Sequence, residues 1–470
     1  MRSVNRIVSV GCRLLLAGVS LWGCTHAPHG IDHQGTVPQT VGTEIPGLPP
    51  IDPDVQYNHV FVHRTPQEFL TWEKNGIAAK PAGANVRLEL EPQKSGALRC
   101  ESEDIDGGIA QFDKTSGLCL GQDPAPTGLP SGVTYYNGGS FYFGTMLSPE
   151  LTPKVPIDHV IASWNAVTPP GTWLELHLRV KTGDGWSRFY KLPIWASDAN
   201  TLKRHSVKEP ADQTGYVDTD TFELRNQKTA SSYQLSVTLF SADPTKSPSL
   251  SLVAAVASRD KKEYPVLGID PSSFDVSLPI PHHSQELAEY KKPEYKEYGG
   301  GGPVWCSPTS TTMVMEYYSR LLGDSSLQKT VPQVAIGCYD WVYKGTGNWP
   351  FNTAYAAEAG LASYITRFYS FAHAAPWLRA GIPLVISIAF KAGELPGAPI
   401  SKTNGHLIVV RGFDKNGDVL VNDPAAPEDA SVPRTYPRAA LEAAWSHSHR
   451  TAYVMFPKAE VSVPADPTAM

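Results

Sequence analysis

Two runs of strict alternation set the terms for the first half of the chain. Leu174, Leu176, Leu178 and Val180 alternate with Glu175, His177 and Arg179, and Tyr233, Leu235, Val237 and Leu239 alternate with Gln234, Ser236 and Thr238. Successive side chains of a strand point to opposite faces, so a period of two predicts strands with one buried face. Turn signals such as Thr182-Gly183-Asp184-Gly185 and Ala242-Asp243-Pro244 separate such runs. Many short strands with no helical pattern between them predict an all-β sandwich over residues 57–265. The 41 prolines and 39 glycines suit a fold rich in strand and loop. Phe141, Tyr142, Phe143, Trp164, Trp173, Trp186, Tyr190 and Trp195 are expected chiefly as sandwich packing rather than as a glycan platform. Asp104, Asp106 and Gly107 hint at a cation loop but complete no calcium pattern.

The texture changes near residues 265–277, where helical and strand patterns begin to alternate, as in an α+β domain. That second domain is expected over residues 270–460, because 470 residues exceed one ordinary domain. Its centre is Gly299-Gly300-Gly301-Gly302-Pro303-Val304-Trp305-Cys306-Ser307-Pro308. Met313, Val314, Tyr317, Tyr318, Leu321 and Leu322 then recur at the spacing of one helix face. Pro308 suits the first helical turn, where its missing N–H costs nothing. Cys306 is therefore predicted at a helix N-terminus, where free N–H groups and the positive dipole end favour a thiolate. Further on, helices are expected near residues 332–342, 353–359 and 372–380, and strands near 363–368 and 383–390, with a loop over 345–350.

Asn404 to Phe413 and Asp418 to Pro424 flank the turn Asp414-Lys415-Asn416-Gly417 and read as a hairpin. If Phe413 opposes Asp418, Ile408 opposes Asp423, and His406 lies one step further along the same face. Asp423 is then a diagonal neighbour of His406, at roughly 7–8 Å between backbones and within side-chain reach. A three-residue loop breaks this parity unless a bulge restores it. Asn422, the rival partner, falls on the opposite face.

Cysteine-based acyl transfer needs a nucleophile, a base, a group that orients the base and a donor for the oxyanion. Cys306, His406, Asp423 and Gln285 are the candidates, with the Cys306 N–H as second oxyanion donor. His282, His283, His447 and His449 read as solvated or satisfied, and no cysteine spacing suits a structural zinc. No metal or other cofactor is expected.

Arg2, Arg6 and Arg13 precede the apolar run Leu14 to Leu21, which reads as a secretory signal ending in Leu21-Trp22-Gly23-Cys24. That end resembles a bacterial lipobox, with Cys24 lipidated, although Trp22 stands where a small residue is usual. Thr25 replaces the aspartate of the inner-membrane retention signal, so the outer membrane or cell surface is the expected destination. Residues 25–56, rich in Pro, Gly, His and Thr, read as a tether, and residues 461–470 as a disordered tail. No later stretch reaches the ~18 apolar residues of a transmembrane helix, so a lipid anchor is the one membrane attachment expected. In an exported protein Cys100 and Cys119 are expected to form a disulfide, and Cys338 to be a buried small hydrophobe. The net charge of −6 gives no electrostatic case for nucleic-acid binding.

Residues 278–456 resemble the C39-like peptidases, a bacterial branch of the papain-like cysteine peptidases. The motifs are Pro281-His282-His283-Ser284-Gln285, Trp305-Cys306-Ser307-Pro308-Thr309-Ser310, Gly345-Thr346-Gly347-Asn348-Trp349-Pro350-Phe351-Asn352, Asn404-Gly405-His406-Leu407 and Val421-Asn422-Asp423-Pro424. The first half is similar to the β-rich domain that precedes such domains, at Ser163-Trp164-Asn165-Ala166 and Asp218-Thr219-Asp220-Thr221-Phe222. The resemblance implies a papain-like fold, peptide-bond hydrolysis, and nucleophile, base, orienting and oxyanion roles for Cys306, His406, Asp423 and Gln285. The best-known members trim Gly-Gly leaders and are fused to transmembrane helices and an ATPase. This sequence has no Gly-x-x-x-x-Gly-Lys-[Ser/Thr] loop, so that role does not carry over. The substrate is expected to be a peptide or protein, including cell-wall peptide, and the protein a monomer. Peptidoglycan amide hydrolysis, transglutaminase-like transfer and a non-catalytic surface binding protein are the rival expectations.

Overall fold

The computed structural model describes residues 58–92, 98–99, 104–105, 108–109, 117–123, 136–207, 211–260 and 268–458. Cys24, the tether, the tail, and the Asp106 and Gly107 of the possible cation loop lie outside them.

The first half holds two sheets. One runs Gly215–Asp218, Thr221–Leu224, His159–Val167, Ser249–Ser258, Asn85–Leu90, Ile77–Ala82, with Asn58–His63 also paired to Ser249–Ser258. The other is built on Thr172–Thr182, Ser232–Ser241 and Ser140–Leu147, with Tyr190–Trp195 and Cys119–Gln122 among its outer strands. The two alternating runs pair directly, Leu176 opposite Val237 and Leu178 opposite Leu235. Their apolar faces share one cluster with Trp164, Val253 and Ala255 of the first sheet, so the alternation places the core between the sheets. The polar face departs from the expectation. Glu175 and His177 are fully buried, because a further layer of Tyr136, Phe141, Trp173 and Phe240 covers that side. A buried charge is tolerated only when paired. Lys191 Nζ lies 2.9 Å from the Glu175 carboxylate, and the Tyr136 hydroxyl donates to it at 2.8 Å. Most of the aromatics noted above are core, as expected, whereas Trp186 stays partly exposed with Arg179 over its ring at 4.6 Å.

Cys119 is disulfide-bonded; Cys100, its expected partner, lies outside the described residues. Cys306 and Cys338 are free. Cys338 is fully buried, and burial pushes its thiol up to about 12.

The second half is one sheet in the order Leu361–Arg367, Thr451–Pro457, Leu384–Phe390, Thr403–Phe413, Val419–Asn422, Pro433–Tyr436, with Val276–Ser277 paired to Thr403–Phe413. The helices of eight or more residues are Cys306–Leu322, Val331–Cys338, Trp349–Glu358, Phe371–Arg379 and Arg438–Ser446. Two boundaries differ from expectation. The second helix stops at Cys338, because Tyr339 turns extended and the Asp340 carboxylate accepts from the N–H groups of Val342 and Tyr343, closing a turn. The third begins at Trp349 rather than Thr353. Asn348 caps it by accepting from the Phe351 N–H, and Pro350 sits in its first turn, so the expected loop contains a helix start.

The halves meet along a seam that is both packed and hydrogen-bonded. Phe351 enters the core of the first half, its ring 5.4 Å from that of Trp195 and 6.4 Å from that of Trp164. The Asn165 side chain accepts from the Ser363 N–H at 3.1 Å and donates to the Ser363 carbonyl. The Ile365 N–H donates to Ser163 Oγ, and the Trp349 N–H to Asp220.

Candidate active site

Cys306 opens the helix Cys306–Leu322, as its sequence context predicts. Gly299, Gly300 and Gly301 take φ of 76°, 110° and 90°, which L residues rarely adopt. A Cβ on Gly302 would overlap the Gln285 carbonyl oxygen, and one on Gly301 would stand 2.7 Å from the Tyr290 carbonyl oxygen. The glycines thus let the loop before Cys306 lie against the Gln285 segment. Trp305 is fully buried, its indole donating to the Tyr298 carbonyl at 2.8 Å. Along the helix, the Ser310 hydroxyl donates to the Leu407 carbonyl at 3.0 Å. That bond fixes the helix start beside the neighbour of His406.

His406 is 2% exposed and Asp423 1%. His406 Nε2 lies 2.8 Å from Asp423 Oδ1, and Cys306 is near enough to the same imidazole to favour its charged form. With Nε2 on the carboxylate, Nδ1 is the ring nitrogen left for the thiol. Burial works against an imidazolium here. The Asp423 carboxylate and Cys306 outweigh it and raise His406 well above its usual value. Burial likewise pushes Asp423 up, but His406, the Tyr436 hydroxyl and the Ala425 N–H hold it below the usual carboxylate range.

The hairpin reaches this geometry by a different route from the one expected. Phe413 opposes Val419, not Asp418, and Gly412 opposes Leu420. A bulge at Arg411 then shifts the register, so Val410 opposes Val421 and Val409 opposes Asn422. Continued one step, that pairing sets Ile408 against Asp423, which is the expected register at the site. Asn422 faces away, donating to the Ile280 and Pro281 carbonyls.

Gln285 is 2% exposed. Its backbone N–H donates to the Pro424 carbonyl at 2.8 Å. One N–H of its amide goes to the Pro303 carbonyl at 2.7 Å, three residues before Cys306. The amide carries a second N–H. The four candidates therefore converge through three loops that bond to one another. Of the set-aside histidines, His283 lies 2.5 Å from Glu316, His449 3.5 Å from Asp260, and His447 is exposed.

Sequence reasoning missed Tyr436. Its hydroxyl donates to Asp423 Oδ2 at 2.6 Å. The signal was obscure, because its strand Pro433–Tyr436 is four residues long and starts with proline.

A thiol at a helix start, beside an imidazole that a buried carboxylate holds, defines a class of site able to carry out nucleophilic acyl transfer. Comparison narrows the class. Residues 60–258 match the model of the peptidase C39 N-terminal domain, and residues 277–453 that of the peptidase C39-like family. The chain belongs to the C39-like peptidase family. No curated protein matches the chain. Among solved structures, the Clostridium thermocellum N-terminal endo-1,4-β-D-xylanase 10B, CBM22-1 and GH10 modules complexed with xylohexaose, matches at 12% identity and a TM-score of 0.14. That match covers 37% of this chain and 30% of the other, and likeness so slight carries no argument about fold or function. Family membership supports a peptidase-related, hydrolytic function.

Proposed function

We propose that the protein is an exported cysteine peptidase that hydrolyses peptide bonds. The observation that carries this reading is His406, bonded to Asp423 and close to Cys306 in a buried setting. The Cys306 sulfur attacks the amide carbonyl, forming a C–S bond while the carbonyl π electrons move to oxygen. The Cys306 N–H and the Gln285 amide bind that oxyanion. As the C–N bond breaks, the His406 imidazolium passes its proton to the leaving amine. His406 then takes a proton from water, whose oxygen attacks the thioester, and the thiol and a carboxylic acid are released. Asp423 holds the imidazole throughout. On this reading the first half is an all-β sandwich and the second a papain-like α+β domain. Cys24 is the lipid anchor that keeps the protein at the outer membrane or cell surface, and the substrate is a peptide or protein, including cell-wall peptide.

Alkylation of Cys306 by iodoacetamide, followed by peptide mass against pH, tests this. At pH 6 an ordinary thiol with a pKa of about 8.5 is almost wholly protonated. The wild type should label there on the order of a hundredfold faster than His406→Ala, and Cys306→Ala should fold yet cleave nothing. Equal, slow labelling in both proteins, or turnover surviving in Cys306→Ala, rejects the assignment. Parallel digests of denatured protein and of purified murein then separate the protein from the cell-wall substrate.

A further inference from the structure

A cavity of about 210 Å³ opens on the seam, remote in the sheet order from the Cys306 site. The first half gives it Arg64, at the end of the strand Asn58–His63, and Arg87, on the outward face of Asn85–Leu90. The second half gives it Ala362, of the strand Leu361–Arg367, and Lys458, just past Thr451–Pro457. Its floor is apolar: Leu252 and Ala362 are each at most 3% exposed and share one core cluster. Asn165 closes the base with both ends of its amide committed to Ser363.

Among the described residues, three cationic residues line this cavity and no carboxylate does. Among the described residues none of the three has an ion pair or side-chain hydrogen bond. The acids on the adjoining elements are engaged elsewhere. Glu68 accepts from the backbone N–H groups of Arg64 and Thr65 at 2.7 Å, and Glu89 pairs with Lys80 at 2.6 Å. Burial pushes the Lys458 ammonium down from its usual value with nothing raising it. An oxyanion bound in the cavity gains charge-assisted hydrogen bonds from the cationic side chains that line it. The volume equals about seven waters at roughly 30 Å³ each, which suits a small organic molecule.

We propose that this cavity is a binding site for a small organic anion, with its carboxylate or phosphate head on Arg64, Arg87 and Lys458 and its apolar body on Leu252 and Ala362. An occupant touches both halves of the chain and so ties them together across the seam.

Calorimetric titration of the full chain with phenyl phosphate and with phenylacetate, at matched ionic strength, tests the site. One of the two should bind saturably at a single site, and the tighter one identifies the head group. Arg87→Gln and Lys458→Gln, both at side chains that reach solvent, should each weaken that binding about tenfold or more. Benzyl alcohol, which lacks the charge, should not bind. Absence of saturable binding by either anion up to about 10 mM, where millimolar affinity would be evident, overturns the proposal. So does an unchanged affinity in either variant.

Discussion

Asp423 keeps its charge in a place where burial opposes it, and the third donor that makes this tolerable is Tyr436. The Tyr436 hydroxyl holds Oδ2 while Oδ1 takes His406 and the Ala425 N–H. With Oδ2 released, the carboxylate is free to rotate away from the line of the His406 ring. A hydrogen bond to a charged group contributes roughly 1.5–3 kcal/mol, and about 1.36 kcal/mol on a barrier is tenfold in rate. On the peptidase reading, Tyr436→Phe should lower kcat by about tenfold with KM nearly unchanged, because the lost contact orients the base and touches no substrate. Circular dichroism should show the fold intact. A kcat equal to that of the wild type would mean that Asp423 needs no third donor. At this scale the sequence was most informative where chemistry sits in a local pattern. Cys306 announces itself by the glycines before it and the helix after it. Tyr436 has no such context, since four residues headed by proline show no alternation.

The hairpin shows what a pattern can and cannot yield at the scale of an element. Parity alone puts His406 and Asp423 on one face and Asn422 on the other, and the structure agrees. The turn itself was beyond reach of parity. Asp414 Oδ1 accepts from the N–H groups of both Asn416 and Asp418, so the loop is one residue longer than the alternation implies, and the bulge at Arg411 absorbs the difference. That bulge depends on Gly412. Its φ is 155°, and a Cβ there would overlap the Val276 carbonyl oxygen of the adjoining strand. Gly412→Ala should therefore cost about 3 kcal/mol or more, combining overpacking with an unfavourable backbone. The urea midpoint measures that cost. Where the variant still folds, strand register should slip and Cys306 labelling at pH 6 should slow with it. A stability within about 0.5 kcal/mol of the wild type would show that the bulge is not held by Gly412. The covered polar face of Thr172–Thr182 escaped the sequence for a similar reason. Glu175 and His177 look solvent-facing in any window of their own strand, and residues from elsewhere in the chain, Tyr136, Phe141, Phe240 and Lys191 among them, make them core.

At the scale of the molecule the seam is the feature least visible in the sequence, because Asn165 and Ser363 stand 198 positions apart and neither lies in a pattern that names the other. The seam also carries a titration. Asp220, from the first half, is 7% exposed and caps the helix Trp349–Glu358 of the second by accepting the Trp349 N–H at 2.8 Å. Burial, with Asp218 and Asp340 nearby, raises its carboxyl from 3.8 to about 7, against the opposing pull of the Trp349 N–H and the Thr221 hydroxyl. A carboxyl with a raised folded-state pKa binds a proton more tightly in the folded protein than in the unfolded chain. Its contribution to stability is therefore fully present below about pH 4, falls as pH rises from about 4 to about 7, and is flat above that. Asp220→Asn keeps an oxygen for the Trp349 N–H but cannot ionise. Any fixed cost of its added NH2 group is independent of pH. The stability of the variant relative to wild type should rise by up to about 4 kcal/mol between pH 4 and pH 8, since the wild type loses about 1.4 kcal/mol for every pH step of one across its titration window. Urea midpoints of both proteins across that range measure the difference, and unfolding should be a single transition because the Phe351 core and the Asn165 bridge join the two halves. A difference that stays constant from pH 4 to pH 8 would mean that Asp220 is ionised in the folded protein throughout, and that the seam accommodates its charge.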